Sequence, residues 1–433
     1  MSATNRSLYE KLILESTDQS KTVDIRLGTY SIDYYEDVFS PTVTARISVM
    51  NTGGSIRGKS GELQSIYNGL PLRGGERLSL KIGGNTPTNP DLDFSKSDNL
   101  LHVSSISNVI SQSQREIFQL HLVSREAITN ETSRVGGKFP PGTSIDSAVT
   151  QILNDKLKAT KIGTIDKTSN KYAFIGNLRK PFTVLVWLAS KAVPDSSGSA
   201  TAGFFFYQTQ DGFQFRAIDN LVKAESKATY TYYGPNESDF FRNTDFGIID
   251  YTTERNQNLI EKLRLGTYSS YRMFYDPLTF NFTPQSQSVF KIDNYIGKTK
   301  NLGEANLNLP ENLGNLPTRI ITQVLDIGTM DKDVSLDANA NPFEYQSQAI
   351  MRYNIMFTQT VSMTVPLNTN LRAGDLITCQ IPKITDSDKN VFDEEQSGLY
   401  MIKELCHHFD LDGSFTSMKL IRDTFGKYGT NNK

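Results

Sequence analysis

Hydrophobic and polar residues alternate with period two in many short segments of this chain of 433 residues. In residues 42–49 (TVTARISV) and 360–365 (TVSMTV), β-branched or apolar side chains recur at alternate positions. This is the pattern of a strand that buries one face. Segments rich in Ser, Thr, Asn and Gly separate such runs, and a polar turn at 410–413 joins two of the later ones. The pattern therefore predicts a mainly β protein made of small antiparallel barrels or sandwiches.

An internal repeat is the most informative feature of the sequence. The hexapeptide RLGTYS occurs at residues 26–31 and again at 264–269, an offset of 238. Further along, LRGGERLSLKI at 72–82 parallels LRAGDLITCQI at 371–381, at an offset of 299. The order of the two matches is the same in both copies, which indicates a duplication.

The spacing of the second match then holds over some fifty residues. The further matches are Leu101, Val103 and Ile106 with Tyr400, Ile402 and Leu405, and, one residue out of step, LHLVSR at 120–125 with MKLIRD at 418–423. Because the second offset exceeds the first by 61, the second copy holds about 61 extra residues after its first strand. We interpret these residues as a subdomain inserted at 282–345, where NLGEANLNLPENLGNLP is rich in Asn, Pro and Gly.

The region between the copies has a different pattern. Apolar residues at helical spacing follow Ser144, a second helix is predicted to begin at Pro181, and Asp211 and Gly212 form a hairpin signal between two aromatic strands. The fold class predicted is thus mainly β with α+β parts: two homologous antiparallel β-barrel domains, a middle α+β domain and a subdomain inserted in the second barrel. The predicted divisions are an N-terminal segment 1–19, a first β-barrel 20–126, the middle α+β domain 127–225, a connector 226–257 that turns helical near 254–263, a second β-barrel 258–281 and 346–426, the inserted subdomain 282–345 and a polar tail 427–433.

Composition narrows the function only by exclusion. The net charge is −2 and the pI is about 6.2, so no global basic field attracts the chain to nucleic acid. The two cysteines, Cys379 and Cys406, are too few for a disulfide framework and are expected to be reduced core residues. No apolar run approaches the length of a membrane span, and the first twenty residues lack the layout of a secretory signal. The chain is therefore expected to fold in a cytosol.

One segment formally satisfies the phosphate-binding-loop pattern: GGSIRGKS, residues 53–60. Such a loop works at a strand-to-helix turn, where backbone amides and a lysine hold the phosphates. Here only about seven residues separate Gly61 from Gly69, too few for the helix that the motif needs, and the second copy lacks the motif. We interpret the segment as a Gly-rich hairpin loop that exposes Arg57 and Lys59.

The histidines and cysteines also lack the spacing of a reactive site. Cys406, His407 and His408 are consecutive on a predicted strand, so only Cys406 and His408 can share a face. Four histidines in the whole chain are too few to favour a His-based nucleophilic mechanism; the other two are His102 and His121.

Two other sets of residues have structural interpretations. The acidic loop that contains Asp386, Asp388, Asp393, Glu394 and Glu395 lacks the glycine and the spacing of a calcium-binding loop. Trp187 and the aromatic run 204–207 fit a hydrophobic core better than a sugar-binding platform. The sequence therefore predicts no catalytic, cofactor-binding or metal-binding residue, and no enzyme.

Long segments of the chain resemble one protein family. The C-terminal third, AIMRYNIMFTQTVSMTVPLNTNLRAGDLITCQIPKI and then SGLYMIKELCHHFDLDGSFTSMKLIRDTFG, is similar to the baseplate hub protein of contractile-tailed bacteriophages, the T-even-like and cyanobacterial myophages. PFTVLVWLASKAV, GFFFYQTQDGFQFRAID and LRLGTYSSYRMFYDPLTFNF are similar to the middle domain and the second barrel entry of that family. These patterns are diffuse, but together they cover most of the chain.

The resemblance implies a structural role. Three chains would form a ring of six similar barrels around a channel, which adapts the sixfold tail tube to the threefold spike. The partners it implies are two further copies of the chain, the tail spike trimer, the tail tube proteins and other baseplate proteins; DNA passes through the channel without specific binding. It implies no cofactor and no membrane span. The location it implies is the tail baseplate of the virion, after assembly in the cytoplasm of the bacterial host.

Three alternatives differ in what they require. A receptor- or glycan-binding tail protein would carry exposed aromatic residues on loops, whereas the aromatic residues here fall within strands. A tail-associated cell-wall hydrolase needs an acid–base pair in a cleft, which no segment indicates. A spike-base component of a related secretion machine would share the fold and differ mainly in its setting.

Overall fold

The computed structural model of the chain describes residues 3–51, 54, 56–57, 61–70, 72–112, 115–195, 201–233, 244–256, 258–284, 288–295, 301–303, 309, 312–326, 339, 342–383 and 392–425. The alternating pattern holds: among the described residues strands far outnumber helices, most strand pairings are antiparallel, and the mainly β prediction is confirmed. No helix within these ranges is long and apolar enough to cross a membrane. Lys59, Asp386, Asp388 and the predicted tail 427–433 lie outside the described residues.

The first 124 residues form a β-rich unit, here called unit 1, whose alternate side chains fill one core. Ile32, Ile47, Leu80 and Leu120 come from four different strands and are all fully buried in it. Its elements are β1 Tyr9–Glu15, β2 Thr22–Asp24, β3 Thr29–Asp37, β4 Thr44–Asn51, β5 Ile56–Arg57, β6 Leu63–Gln64, α1 Ile66–Gly69, β7 Arg77–Ile82, β8 Leu92–Phe94, β9 Leu101–Gln112 and β10 Arg115–Ser124.

The middle region contains the predicted helices and hairpin. Pro181 begins a helix and Gly212, with a φ of +107°, turns the hairpin, because glycine adopts this backbone conformation without steric cost. The elements are α2 Arg125–Thr132, β11 Lys138–Phe139, α3 Ile145–Ile152 (continued by a π-helical turn, Leu153–Leu157), β12 Ile162–Ile165, β13 Phe174–Ile175, α4 Pro181–Ala189, β14 Phe204–Thr209, β15 Gly212–Ala217 and α5 Ile218–Val222.

The rest of the chain forms a second β-rich unit, unit 2, and an inserted subdomain. Unit 2 consists of β16 Ser226–Thr231, β17 Asp250–Asn256, β22 Gln359–Pro366, β23 Leu376–Gln380, β24 Gly398–Asp410 and β25 Ser414–Arg422. The inserted subdomain lies between β17 and β22, so it begins earlier and ends later than the predicted 282–345, and it consists of α6 Leu259–Leu265, β18 Ser269–Asp276, β19 Asn281–Phe282, β20 Val289–Lys291, β21 Arg319–Val324 and α7 Pro342–Ile355.

The strands of the two units pair in the same order. Unit 1 has the order β3-β4-β10-β9-β7-β1, and unit 2 has the order β17-β22-β25-β24-β23-β16. The five pairings of unit 1 are all antiparallel. Unit 2 differs only at its last pairing, because β16 runs parallel to β23. Each of these six strands of one unit thus has an equivalent in the other, whereas among the described residues β2, β5, β6 and β8 occur only in unit 1.

The predicted first strand of the second barrel, within 258–281, is wrong. β18, which follows the second RLGTYS, belongs to a separate four-stranded sheet with β19, β20 and β21. The strand that completes unit 2 is β17, from the predicted connector 226–257, and it pairs with β22. The hexapeptide match reflects a short helical turn that leads into a strand in both copies, Arg26–Gly28 before β3 and the end of α6 before β18. Long-range pairing decides which sheet that strand enters.

One continuous sheet joins the two units. β24 of unit 2 pairs with β3 of unit 1, from Glu404 opposite Asp37 to Asp410 opposite Ser31. This pairing, here called the seam, produces a run of eight strands in the order β17-β22-β25-β24-β3-β4-β10-β9, each antiparallel to its neighbour.

Buried polar contacts also hold the parts together. Arg352 of α7 is fully buried and forms ion pairs with Asp219 of α5 (2.6 Å) and with Asp423 just after β25 (3.2 Å). Glu36 of β3 is likewise buried and accepts hydrogen bonds from the backbone N–H of Gln210 (2.6 Å) and of Ala373 (3.0 Å). These contacts link unit 1, the middle region, α7 and unit 2.

Candidate functional site

The eight-strand run has one apolar face and one polar face, because successive side chains in a strand point to opposite sides. Ile32, Tyr34, Leu405 and Leu420 are among the buried residues of the apolar face. The other side, here called the polar face, crosses both units. Its polar side chains are Asp250, Thr252 and Glu254 (β17), Ser362 and Thr364 (β22), Ser417 and Lys419 (β25), Glu404, Cys406, His408 and Asp410 (β24), Ser31, Asp33, Tyr35 and Asp37 (β3), Thr44, Arg46 and Ser48 (β4), Gln119 and His121 (β10), and Ser105 and Ser107 (β9). Apolar side chains also lie on the same side, among them Met50, Ile110, Ile117, Val123 and Phe415.

Acidic groups predominate on the polar face. Its six carboxylates are Asp33, Asp37, Asp250, Glu254, Glu404 and Asp410. The two basic side chains are Arg46 and Lys419, and Lys419 lies 2.9 Å from Glu254. Lys403 reaches the edge of the face from a bulge in β24 and lies 2.7 Å from Asp37. A surface with this balance repels a polyanion and offers it no array of phosphate-binding cations.

A His–Asp cluster lies on the polar face at the seam. Nδ1 of His408 is 2.5 Å from a carboxylate oxygen of Asp33, and Nε2 is 3.1 Å from one of Asp410. The hydrogen bond with Asp33, together with that of Asp410, raises the pKa of His408 although partial burial opposes it. Burial would raise the pKa of Asp410, but the backbone N–H groups of Gly413 and Asp412 and the His408 ring lower it. The cluster therefore ties β24 to β3 most strongly when His408 is protonated.

The run Cys406, His407 and His408 is divided between the two faces, as its strand spacing predicts. His407 points into the apolar face, where burial, with Arg372, lowers its pKa to about 3, and its Nδ1 lies 3.0 Å from the Thr416 hydroxyl. Burial raises the pKa of the Cys406 thiol to about 12, so this thiol stays protonated at neutral pH. Both cysteines are free, and within the described ranges no group of three or more His, Cys, Asp or Glu side chains is placed to hold a metal ion.

The segment around GGSIRGKS is a hairpin where it is described. β5 pairs with β6, with Ile56 opposite Gln64 and Arg57 opposite Leu63. Arg57 is exposed, and the helix that follows, α1, has only four residues. The described residues on either side of the motif thus form a short hairpin and a four-residue helix, and not the strand and long helix that flank a phosphate-binding loop.

The remaining candidate binding sites of the sequence, the acidic loop and the aromatic run, have structural roles where they are described. Asp393 accepts hydrogen bonds from the backbone N–H of Glu395 (2.8 Å) and of Gln396 (3.0 Å), which caps a tight turn. Trp187 packs edge-on against Tyr172 and Phe174 in the middle region, and the aromatic residues of β14 are buried. These aromatic side chains build a core, as the sequence predicts.

Sequence reasoning missed the polar face. When each strand is considered alone, the Ser, Thr and Asp residues of this face look like ordinary solvent-exposed positions. Only the pairing places Asp250, Thr364, Ser417 and Cys406 in one row across four strands. The signal was present in the alternation of each strand, but the order of the strands was needed to use it.

Comparison with known proteins gives a fold. No family model matches the chain, and no curated protein sequence matches it. Its structure is similar to that of the 43 kDa tail protein of prophage MuSo2 from Shewanella oneidensis, with 10% identity, a TM-score of 0.50, and coverage of 96% of this chain and 98% of that chain. It is also similar to the tail protein from Neisseria meningitidis MC58, with 10% identity, a TM-score of 0.52, and coverage of 95% and 96%. The chain thus has the fold of these tail proteins over nearly its whole length, which confirms the resemblance at the level of the fold.

Proposed function

We propose that this chain is a non-enzymatic baseplate hub subunit of a contractile phage tail. Three copies form a ring of six similar units, which adapts the sixfold tail tube to the threefold spike and leaves a channel for DNA. The fold shared with two tail proteins supports a structural role in a tail. The seam is the single observation that carries the finer proposal.

The seam supports a ring because it joins two equivalent units side by side through one sheet. Each chain holds two units with the same strand order. If the step from one unit to the next is repeated, the sheet continues from chain to chain and can close on itself. Three chains then supply six units, with exact threefold and approximate sixfold symmetry. This combination suits a part that lies between a sixfold tube and a threefold spike.

The polar face supports the channel. We assign it to the lumen, with the apolar face of the sheet covered by the cores of the units. Three copies of an acidic wall repel the phosphate backbone and leave no row of lysines or arginines to hold it. DNA would then move through without stopping. The inserted subdomain, which has its own four-stranded sheet, lies outside the wall of the ring.

Electron microscopy of isolated baseplates or hubs tests this proposal. We expect three copies of the chain, six barrel-like units around one axis, the polar face toward the lumen and the inserted subdomain outside. Mass measurement of the purified chain, alone and with the products of neighbouring genes, checks the stoichiometry independently. A monomer or dimer in the tail, a polar face turned outward, or an inserted subdomain that blocks the lumen would contradict the proposal.

A further inference from the structure

The eight-strand run ends in two open edges within the part of the chain that the structure describes. At one end, β17 pairs only with β22. At the other end, β9 pairs with β7 only at Leu101 and His102, and residues 105–111 have β10 on one side and no strand on the other. Val109 and Ile110 on this edge are 41% and 52% exposed. Open edges of this length invite pairing with another strand.

The chain already contains the equivalent of a pairing between these two edges. β3 corresponds to β17 and β24 corresponds to β9 in the shared strand order, and β3 pairs with β24 at the seam. What the seam does inside one chain is therefore what β17 and β9 would do between two chains.

A shared bulge strengthens the equivalence. In β24 the register shifts between Ile402 and Glu404; residues before the shift pair with β23, and those after it pair with β3. In β9 the register shifts between Val103 and Ser105, at the same offset of 299. It shifts a second time between Ser107 and Ile110, where β24 has no shift, so the equivalence beyond Ser107 follows from the partners in β10 and β25. A bulge bends its strand and redirects its edge. In β24 the redirected edge is occupied by β3, whereas in β9 it is open.

The strand directions also permit closure. All seven pairings in the eight-strand run are antiparallel. Because eight is even, β17 and β9 run in opposite directions. A neighbouring copy placed beside the run in the same orientation therefore meets β9 with its β17 antiparallel. An odd number of strands would not have allowed this.

The geometry points to an interaction surface for a second copy of this chain: β17 of one copy pairs, antiparallel, with residues 105–111 of β9 in the next. This inference rests on the proposed ring and adds its contact. The register follows from cross-strand neighbours. Asp33 lies opposite Arg46, which lies opposite His121. Thr252 lies opposite Ser362, which lies opposite Lys419, the equivalent of His121 in the repeat. Thr252 is therefore the equivalent of Asp33.

The residue of β9 that lies opposite Thr252 follows from the same cross-strand neighbours. His408 is opposite Phe415 in β25, and Ile110 is opposite Ile117 in β10. The match of residues 120–125 with 418–423 has an offset of 298, and the same offset makes Ile117 the equivalent of Phe415. Ile110 in β9 is therefore the equivalent of His408 in β24. Asp33 faces His408 at the seam, so Thr252 of one copy faces Ile110 of the next.

Disulfide cross-linking in hubs isolated from tails tests this register. In a Cys406→Ser background, Thr252→Cys with Ile110→Cys should give a covalent trimer on mild oxidation, and no larger species, because the ring is closed. Either cysteine alone should give none. Thr253→Cys with Ile110→Cys is the matched negative control, because Thr253 points to the opposite face. Asp33→Cys with His408→Cys is the positive control and should form a link within one chain.

A second variant tests assembly without cysteines. Ile110→Asp places a carboxylate on the open edge beside the acidic residues of β17, and should raise the concentration needed for trimers at least tenfold while the melting temperature of the chain is unchanged. Ile260→Asp, on exposed α6, is the control and should leave assembly unchanged.

The outcomes separate this inference from the proposed function. Trimers that resist cross-linking in the Thr252/Ile110 pair, while the Asp33/His408 pair links, would overturn the strand pairing and leave the ring. Equal cross-linking of the Thr253/Ile110 pair would overturn the register. A hub that contains one or two copies of the chain would overturn the ring and the pairing together.

Discussion

Glu36 is a carboxyl group buried where unit 1, the middle region and unit 2 meet. It accepts hydrogen bonds from the Tyr34 hydroxyl and from two backbone N–H groups. Burial raises its pKa to about 7, although Arg372 and the N–H groups of Ala373 and Gln210 oppose the rise. A raised carboxyl pKa means that the folded state holds its proton over a pH range in which the unfolded state has lost it.

The pH dependence of stability follows from this shift. Below the unfolded pKa of 4.5 both states are protonated, and between 4.5 and 7 only the folded state is. The free energy of unfolding therefore falls as pH rises through this window, on the order of 3 kcal/mol in total. We expect Glu36→Gln to remove most of that slope, measured by urea unfolding at pH 5 and pH 7.5. A slope equal to that of the unsubstituted chain would show that Glu36 ionises at its ordinary pKa.

Arg352 supports a second prediction at the residue scale. Its guanidinium is buried between Asp219 and Asp423, so Arg352→Met leaves two buried carboxylates without their cation. We expect a loss of about 3–5 kcal/mol in the free energy of unfolding. Adding Asp219→Asn and Asp423→Asn to Arg352→Met removes the uncompensated charges and should recover part of the loss. No recovery in the triple variant would contradict an electrostatic origin.

At the seam, protonation of His408 changes how strongly β24 and β3 are held together. The raised pKa of His408, due first to its bond with Asp33, means that its contribution to stability is fully present below pH 6.5 and is lost as pH rises through the folded pKa. We expect His408→Gln to flatten the fall in stability between pH 6 and pH 8.5, as measured by thermal unfolding.

His121, on the same polar face, provides the matched control for this prediction. Burial, and then Arg46, lower the pKa of His121, so its contribution has the opposite sign and stability rises with pH through its titration. His121→Gln should therefore change the pH dependence in the opposite direction from His408→Gln. The same direction for both variants would show that the seam cluster does not govern the effect.

Much of the element structure could be predicted from the sequence, because it depends on neighbours along the chain. The alternation in β4 and β22, the helix that begins at Pro181 and the turn at Gly212 are all local patterns. The offset of 299 even gives the shared bulge position in β9 and β24. The duplicated segments thus carried register information that single strands do not have.

The remaining errors and omissions come from contacts between distant residues. The second RLGTYS was assigned to the wrong sheet because β18 alternates as β3 does, and only its partners β20 and β21 distinguish them. The polar face and the seam depend on strands that are nearly 400 residues apart, such as those of Asp33 and His408. No pattern within one segment reports such a pairing.

At the scale of the whole molecule, the charge of the polar face should govern the passage of DNA. We expect Asp250→Lys with Glu404→Lys to slow DNA release from the particle, and to do so less at high salt, because lysines in the proposed lumen would hold phosphates. The control is Asp155→Lys with Glu225→Lys, which makes the same charge change at exposed positions away from this face. Release can be followed by dye binding to the DNA that leaves the particle.

Equal release rates for the two double variants would contradict the assignment of the polar face to the lumen. Slower release in both variants to the same extent would point to net charge in general. Slower release only in the Asp250→Lys, Glu404→Lys variant would agree with a polar face that lines the lumen.

In the proposed ring, the covalent link between the two units of a chain would limit the number of units with which the ring can close. A ring built from separate identical units can close with one unit too few or too many, since each error changes the curvature at every contact only slightly. When two units share one polypeptide, the number of units changes only in pairs, and the nearest wrong rings have four or eight. Such rings need roughly twice the change of angle between neighbouring units that a ring of five or seven needs. In the proposed ring, duplication within a single chain would therefore exclude rings with one unit too few or too many, which separate identical units could form.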